Sequence, residues 1–214
     1  MFVSDWMTRK VFTVSPDDDA SAAKAVFRER SVKHLPVLDG GRLVGILSDR
    51  DLVGYAASRR AEAGPEAVEK ALSGTRVKSL MRKNVITVEA DQPVEEAAML
   101  MLDEAVGCLP VTDQGSLVGI ISDRDIFEAL VDITGVRHRG HRFVVPVDDR
   151  PGSIKEVIDI IKKYGFMLLS VVTSYKGAKK GMRNVVIRTH GRGEFDALKH
   201  ELEGTYLGVK IKKG

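Results

Sequence analysis

Gly45-Ile46-Leu47-Ser48-Asp49-Arg50-Asp51 returns 74 positions on as Gly119-Ile120-Ile121-Ser122-Asp123-Arg124-Asp125. In each copy the apolar run predicts a buried strand, and a Ser three residues ahead of an Asp predicts a helix start. This junction has two readings. Ser48 with Asp51, and Ser122 with Asp125, fit a capping box that satisfies orphan amides without any ligand. The same junction suits a phosphate, because the first amides of a helix are unpaired and its dipole favours negative charge. Both copies also keep a Gly before the apolar pair, which permits close backbone approach, and an Arg between the acids, which offers a planar donor fork to phosphate oxygens. The repetition leans toward a ligand and leaves open a cap that also binds one.

Working outward, Val3 to Leu52 align without a gap on Val77 to Ile126. Met7 matches Met81, Thr13-Val14 match Thr87-Val88, and Leu35-Pro36-Val37 match Leu109-Pro110-Val111. This is a duplicated module, and two units of about fifty residues are each too small to be comfortable alone, so each should bury an apolar face on the other. In the first copy Val11 to Val14 reads as a short strand, and a helix follows from about Asp19 to Arg30 with Ala22, Ala23, Val26 and Phe27 as its buried stripe. His34 to Leu38 and Leu43 to Leu47 form a hairpin over Asp39-Gly40-Gly41, and helix resumes at about Asp49. The second copy repeats the order, with Val94, Ala97, Ala98 and Met101 as the stripe and a helix through Leu130. Residues 58–76 read as a surface connection carrying a short helix from about Glu66 to Leu72.

Composition narrows the function. The chain has 214 residues and a net charge of only +3, so no general attraction to nucleic acid or membrane is expected. Met1 to Met7 lack the pattern of a signal peptide, and no run approaches the length that spans a bilayer, so a cytoplasmic location is expected. The single thiol, Cys108, reads as a small core residue. No Cys and His cluster has metal-ligand spacing, no P-loop occurs, and Ser48 has no His in its motif to act as a base, which disfavours an enzyme.

Beyond Leu130, Thr134 to Arg142 gather Arg137, His138, Arg139, His141 and Arg142. An anion or nucleic-acid patch is one reading; without interleaved aromatics the solvated linker is preferred. A second architecture follows: a strand over Phe143 to Val147, a turn at Asp149-Arg150-Pro151-Gly152, and a helix over Ser153 to Lys163. Strands at Met167 to Tyr175 and Met182 to Thr189, a helix over Phe195 to Leu202 and a last strand over Tyr206 to Ile211 complete a ferredoxin-like βαββαβ series. Lys176, Lys179 and Lys180 read as a solvated hairpin tip.

The duplicated pattern resembles a pair of CBS domains, the Bateman module. The resemblance implies an α+β fold with a β-α-β-β-α order in each domain, the two forming a pseudo-two-fold pair. It also implies a cleft for AMP, ADP, ATP or a related adenosine compound such as S-adenosylmethionine. Carried over, Asp51 and Asp125 would hold ribose hydroxyls, which suits an acceptor-only carboxylate. Ser48 and Ser122 would approach ribose or phosphate, and Thr13-Val14 and Thr87-Val88 would pass beside adenine. One site then comprises Thr13, Val14, Lys33, His34, Pro36, Ser48, Arg50 and Asp51; the other comprises Thr87, Val88, Pro110, Ser122, Arg124 and Asp125. Lys33-His34 stand where the second copy has Gly107-Cys108, so the two clefts should bind charged nucleotides unequally.

The βαββαβ part resembles an ACT domain, implying a possible amino acid site in which Asp149 meets an ammonium and the amides after Gly152, at Ser153 and Ile154, meet a carboxylate. The expected domains are 1–57 and 77–133 for the CBS pair, 58–76 and 134–140 for connections, and 141–213 for ACT. This layout resembles the acetoin-utilisation protein B family. It implies a non-catalytic regulatory sensor, a homodimer acting on an unknown partner enzyme, with acetoin utilisation as the pathway by resemblance. A ligand-free assembly scaffold, in which the motifs serve only as caps, is the alternative.

Overall fold

The fold follows from two apolar hairpins and the helices that cover them. In this computed structural model residues 1–63 and 70–214 are described. They divide into two units, Met1–Phe127 and Glu128–Gly214. In the first unit α1 (Val3–Trp6) precedes α2 (Ala20–Arg30), the hairpin β1 (His34–Asp39) and β2 (Arg42–Ser48), and α3 (Asp49–Ala63). The second copy has β3 (Val88–Glu89), α4 (Val94–Asp103), β4 (Cys108–Asp113), β5 (Ser116–Ser122) and α5 (Asp123–Ile133). Each hairpin closes with two residues in the left-handed region, Gly40 and Gly41 in one and Gln114 and Gly115 in the other. That conformation matches the strand twist and explains the Gly at these positions. The expected helix from about Glu66 lies outside the described residues as far as residue 69, and residues 70–73 are helical.

Three local expectations change. The strand expected at Val11 to Val14 shrinks to Val14, which bridges Val37 in parallel. The buried stripe of α2 is Ala20, Ala23 and Phe27 with Val26 packed half-buried against the same core, while Ala22 is exposed, so the stripe begins at Ala20. The last strand of the chain is only Lys210–Lys212; Tyr206 caps the preceding helix and Gly208 turns the chain.

The copies exchange their leading segments. Val3 and Ser4 donate their amides to the Gln92 and Ala90 carbonyls at 2.9 Å each, and Thr8 pairs with Ile120. Reciprocally, the Val77 amide donates to the Asp18 carbonyl at 2.9 Å, and Arg82 pairs with Ile46. Leu72 and Val77 are therefore buried in the first copy's core with Val14, Phe27, Leu35, Val37 and Leu47. Each copy lends a strip of chain to the other, which is how two small modules obtain a core neither could bury alone.

The second unit is a four-stranded antiparallel sheet of β6 (Arg142–Asp148), β7 (Met167–Ser174), β8 (Met182–His190) and β9 (Lys210–Lys212), in the order β7-β8-β6-β9. Helices α6 (Ser153–Lys163) and α7 (Phe195–Thr205) supply Val157, Ile161, Leu198 and Leu202 to a core with Phe143, Val145, Val185 and Ile187. This is the expected ferredoxin-like order. Residues 134–140 are held against the sheet: Arg188 Nε and Ser170 Oγ both donate to the Thr134 carbonyl, at 3.1 and 3.0 Å. Among the described residues no helix is long and apolar enough to cross a membrane.

Candidate functional site

Both strand-to-helix junctions are capped by a Ser and Asp pair, the first as a full capping box. The Ser48 amide donates to Asp51 Oδ2 at 2.9 Å, and the Asp51 amide donates back to Ser48 Oγ at 3.2 Å. Ser48 Oγ also donates to Asp51 Oδ2 at 2.5 Å. In the second copy the Ser122 amide and Oγ both reach Asp125 Oδ2 at 2.7 Å. The cap employs one carboxylate oxygen. Asp51 Oδ1 is left 3.5 Å from Arg82 Nη2, too long for a good hydrogen bond, in a side chain 20% exposed. A carboxylate has about four acceptor sites, so capping and accepting from a diol are compatible.

Asp51 lines a cavity of about 290 Å³ with His34, Ser48, Arg50 and Arg82. Asn84, Val85 and Ile86, the stretch from Glu104 to Cys108, and Pro110 also line it. The volume is at the lower end of small-ligand sites. Two arginines meet two acids, Asp51 and Glu104, so the cavity is near charge balance. Among the described residues no cluster of His, Cys, Asp or Glu could hold a metal.

The grouping of expected site residues changes with the exchanged segments. Ser48, Arg50, Asp51 and His34 do meet in one cavity, but Thr13 is exposed and Val14 is buried against Val37, and neither lines it. Because residues 77–82 pack on the first copy, the chain that follows them, Asn84 to Ile86, supplies the wall instead. Lys33 is exposed; its carbonyl accepts the Asp49 amide at 3.0 Å, and its side chain is not part of this cavity. Pro36 is buried in β1, and Pro110, expected at the other site, lines this one. Thr87 is half-buried and Val88 is buried in β3. Ser122, Arg124 and Asp125 start α5, as expected.

The motif glycines also find a different use. A Cβ at Gly45 would stand 2.5 Å from Met81 Sδ, and one at Gly119 would collide with Met7 Sδ. The close approach they permit is to a thioether of the other copy's leading segment, not to a phosphate.

His34 pairs across the hairpin with Ser48, and burial holds its imidazole below the ordinary range, against the opposing pull of Asp49, Asp123 and Asp51. Cys108 occupies the equivalent place, and burial pushes its thiol up to about 12, which leaves it an inert packing group.

In the second unit Asp149 Oδ1 is 3.4 Å from Arg183 Nε, and Arg150 makes a bidentate pair with Glu156 at 2.9 Å for each bond. Gly152 is the N-cap of α6 with φ 88°; Ser153 is buried and donates to the Arg150 carbonyl at 3.0 Å, and Ile154 packs on the core. The carboxylate expected to meet an ammonium already has a guanidinium beside it.

The geometry has its counterparts among known proteins. The acetoin utilization protein AcuB of Vibrio cholerae is 29% identical, with a TM-score of 0.52, covering 64% of this chain and 95% of that one. CBSX2 in complex with AMP is 27% identical, with a TM-score of 0.51, covering 62% and 97%. The CBS domain pair of protein MJ0100, in complex with 5-methylthioadenosine and S-adenosyl-L-methionine, is 25% identical with a TM-score of 0.52, covering 61% and 99%. The CBS domain family matches twice, over residues 3–58 and 77–132, one match for each capped junction and its exchanged strip. The chain belongs to the CBS domain family.

Proposed function

We propose that the protein is a non-catalytic regulatory sensor that binds an adenine nucleotide or related adenosine compound between its CBS halves. The observation that carries this reading is the second oxygen of Asp51, left by the cap at the edge of a cavity walled by Val85 and Ile86. A carboxylate beside an apolar slot suits a ribose diol next to a purine. The complexes of CBSX2 with AMP and of the MJ0100 pair with adenosine compounds support the ligand class. By the same exchange we read the second site as Ser122, Arg124 and Asp125 with the equivalents of Asn84 to Ile86 and of Glu104 to Gly107, namely Lys10 to Phe12 and Arg30 to Lys33. Arg30 lies over the Phe12 ring at 5.0 Å. Lys33 thereby belongs with Asp125 rather than Asp51, and the Asp125 cleft is the more cationic.

The second unit is read as an ACT domain on its strand order, with Asp149, Gly152, Ser153 and Ile154 as an amino acid site that would have to share Asp149 with Arg183. A homodimer is favoured by the apolar side chains exposed on helices of the CBS pair, Val53, Met99, Leu102 and Phe127. A partner enzyme, in acetoin utilisation by the likeness to AcuB, would read the ligand state. Ligand shifts such an equilibrium only by its different affinity for two arrangements.

The caps favour one rival, a ligand-free scaffold. A thermal-shift panel of AMP, ADP, ATP and S-adenosylmethionine separates the two. At about 100 times its dissociation constant a bound ligand adds roughly 2.7 kcal/mol, whereas the scaffold gains nothing from any of the four. Hydrolysis of ATP abolished by Asp51→Ala would instead make the protein an enzyme.

A further inference from the structure

The open face of the ferredoxin-like sheet carries a row of like charges. Arg142 on β6 is the register partner of Arg188 on β8 and of Lys212 on β9, so three cations stand side by side across three adjacent strands. Like charges directly opposite one another on a sheet are destabilising. Residues 134–140 then bring Arg137 and Arg139 to the same place, and all five cations line one cavity of about 320 Å³ together with His138 and Gly214; no Asp or Glu lines it. None of the five forms an ion pair among the described residues.

The arrangement is built, not frayed. Arg188 is half-buried and its Nε donates to the Thr134 carbonyl at 3.1 Å, while the Thr189 amide donates to the His141 carbonyl at 2.9 Å. Gly140 crosses so close to the Thr189 carbonyl that no side chain fits there. The basic segment is thus pinned where its charges add to the row. We propose that this cavity is an anion site for a compact diphosphate group, separate from the CBS clefts. Arginine forks match phosphate oxygens bidentately, and four of the five cations are arginines. A nucleic acid strand is the poorer fit, since no Phe, Tyr or Trp lines the cavity to stack a base.

The test is calorimetry of the full chain with inorganic pyrophosphate at about 0.15 M salt, where surface attraction is screened. One site outside the CBS clefts is expected, weakened about tenfold or more by Arg142→Gln and by Arg139→Gln, and unchanged by Lys155→Gln on the exposed face of α6. In anion-free buffer Arg142→Gln should hold or raise the melting temperature, because one repulsive neighbour is gone, so lost binding cannot be lost folding. Pyrophosphate affinity in both variants equal to that of the unsubstituted protein overturns the site. So does a short single-stranded oligonucleotide that binds more tightly than pyrophosphate and is lost with the same substitutions.

Discussion

Gly45 lies beneath the thioether of Met81, so close that a Cβ on Gly45 would be 2.5 Å from the sulfur and 3.2 Å from the Arg82 carbonyl. The motif glycine is a packing residue that seats the exchanged strip. Gly45→Ala should cost about 1–3 kcal/mol in urea denaturation, the usual range for overpacking. Adding Met81→Ala should recover part of that loss, giving a coupling energy in a double-mutant cycle. Additive losses would mean that the strip is seated by something else.

The two oxygens of Asp51 have separable duties. Ser48→Ala removes an acceptor from the cap and should lower stability by about 1 kcal/mol. Asp51→Asn keeps an oxygen for the cap but loses the charge, and a charged hydrogen bond contributes about 1.5–3 kcal/mol. AMP binding should therefore weaken by roughly tenfold to a hundredfold in calorimetry, while stability falls by about 1 kcal/mol, because the cap bonds to Oδ2 lose the same charge.

His34 predicts a pH dependence. Its folded pKa lies below the ordinary 6.5, so the unfolded ring takes up a proton first as pH falls. The associated stability is full above about pH 6.5 and declines as pH is lowered from there through the folded value. Asp49, Asp51 and Asp123 oppose the effect and Arg50 reinforces it. An anionic ligand in the cavity would raise the ring's pKa, so AMP binding should draw in protons as pH is lowered through the ring's folded titration range. Calorimetry in two buffers of different ionisation heat should show this uptake in the native protein and less of it in His34→Gln.

Lys33 distinguishes the clefts. If the repeat exchanges walls, Lys33→Gln weakens ATP only at the site that Asp125→Ala abolishes and spares the site that Asp51→Ala abolishes. The opposite pattern would return Lys33 to the Asp51 cleft.

Much of this architecture was legible in the sequence because duplication exposes it. Hairpins, turns and helix starts recur at one offset, and Gly40-Gly41 with Gln114-Gly115 announce their turns chemically. The ferredoxin-like order was equally plain from strand and helix periodicity. The partners of Asp51 were not. Asn84, Val85 and Ile86 carry no motif, and local periodicity cannot report that residues 77–82 leave their own copy. The hint lay in Met7 and Met81, matched residues near the start of each module whose glycine contacts prove to lie across the pair. Within the second unit, Arg137, His138 and Arg139 are exposed, in keeping with a solvated linker, but the register of Arg142 beside Arg188 and Lys212 is a tertiary fact that no local pattern reports.

The traded strips impose an order on biosynthesis. A nascent chain emerging from the ribosome has made β1, β2 and the first capped junction by Asp51, yet the Leu72 and Val77 side chains that seal that core do not exist until some twenty-five residues later. Conversely, the opening residues, Val3 to Thr8, must wait for β5 at Ile120 before they find their partner. Neither module can mature alone during translation, so the pair closes in a single late event.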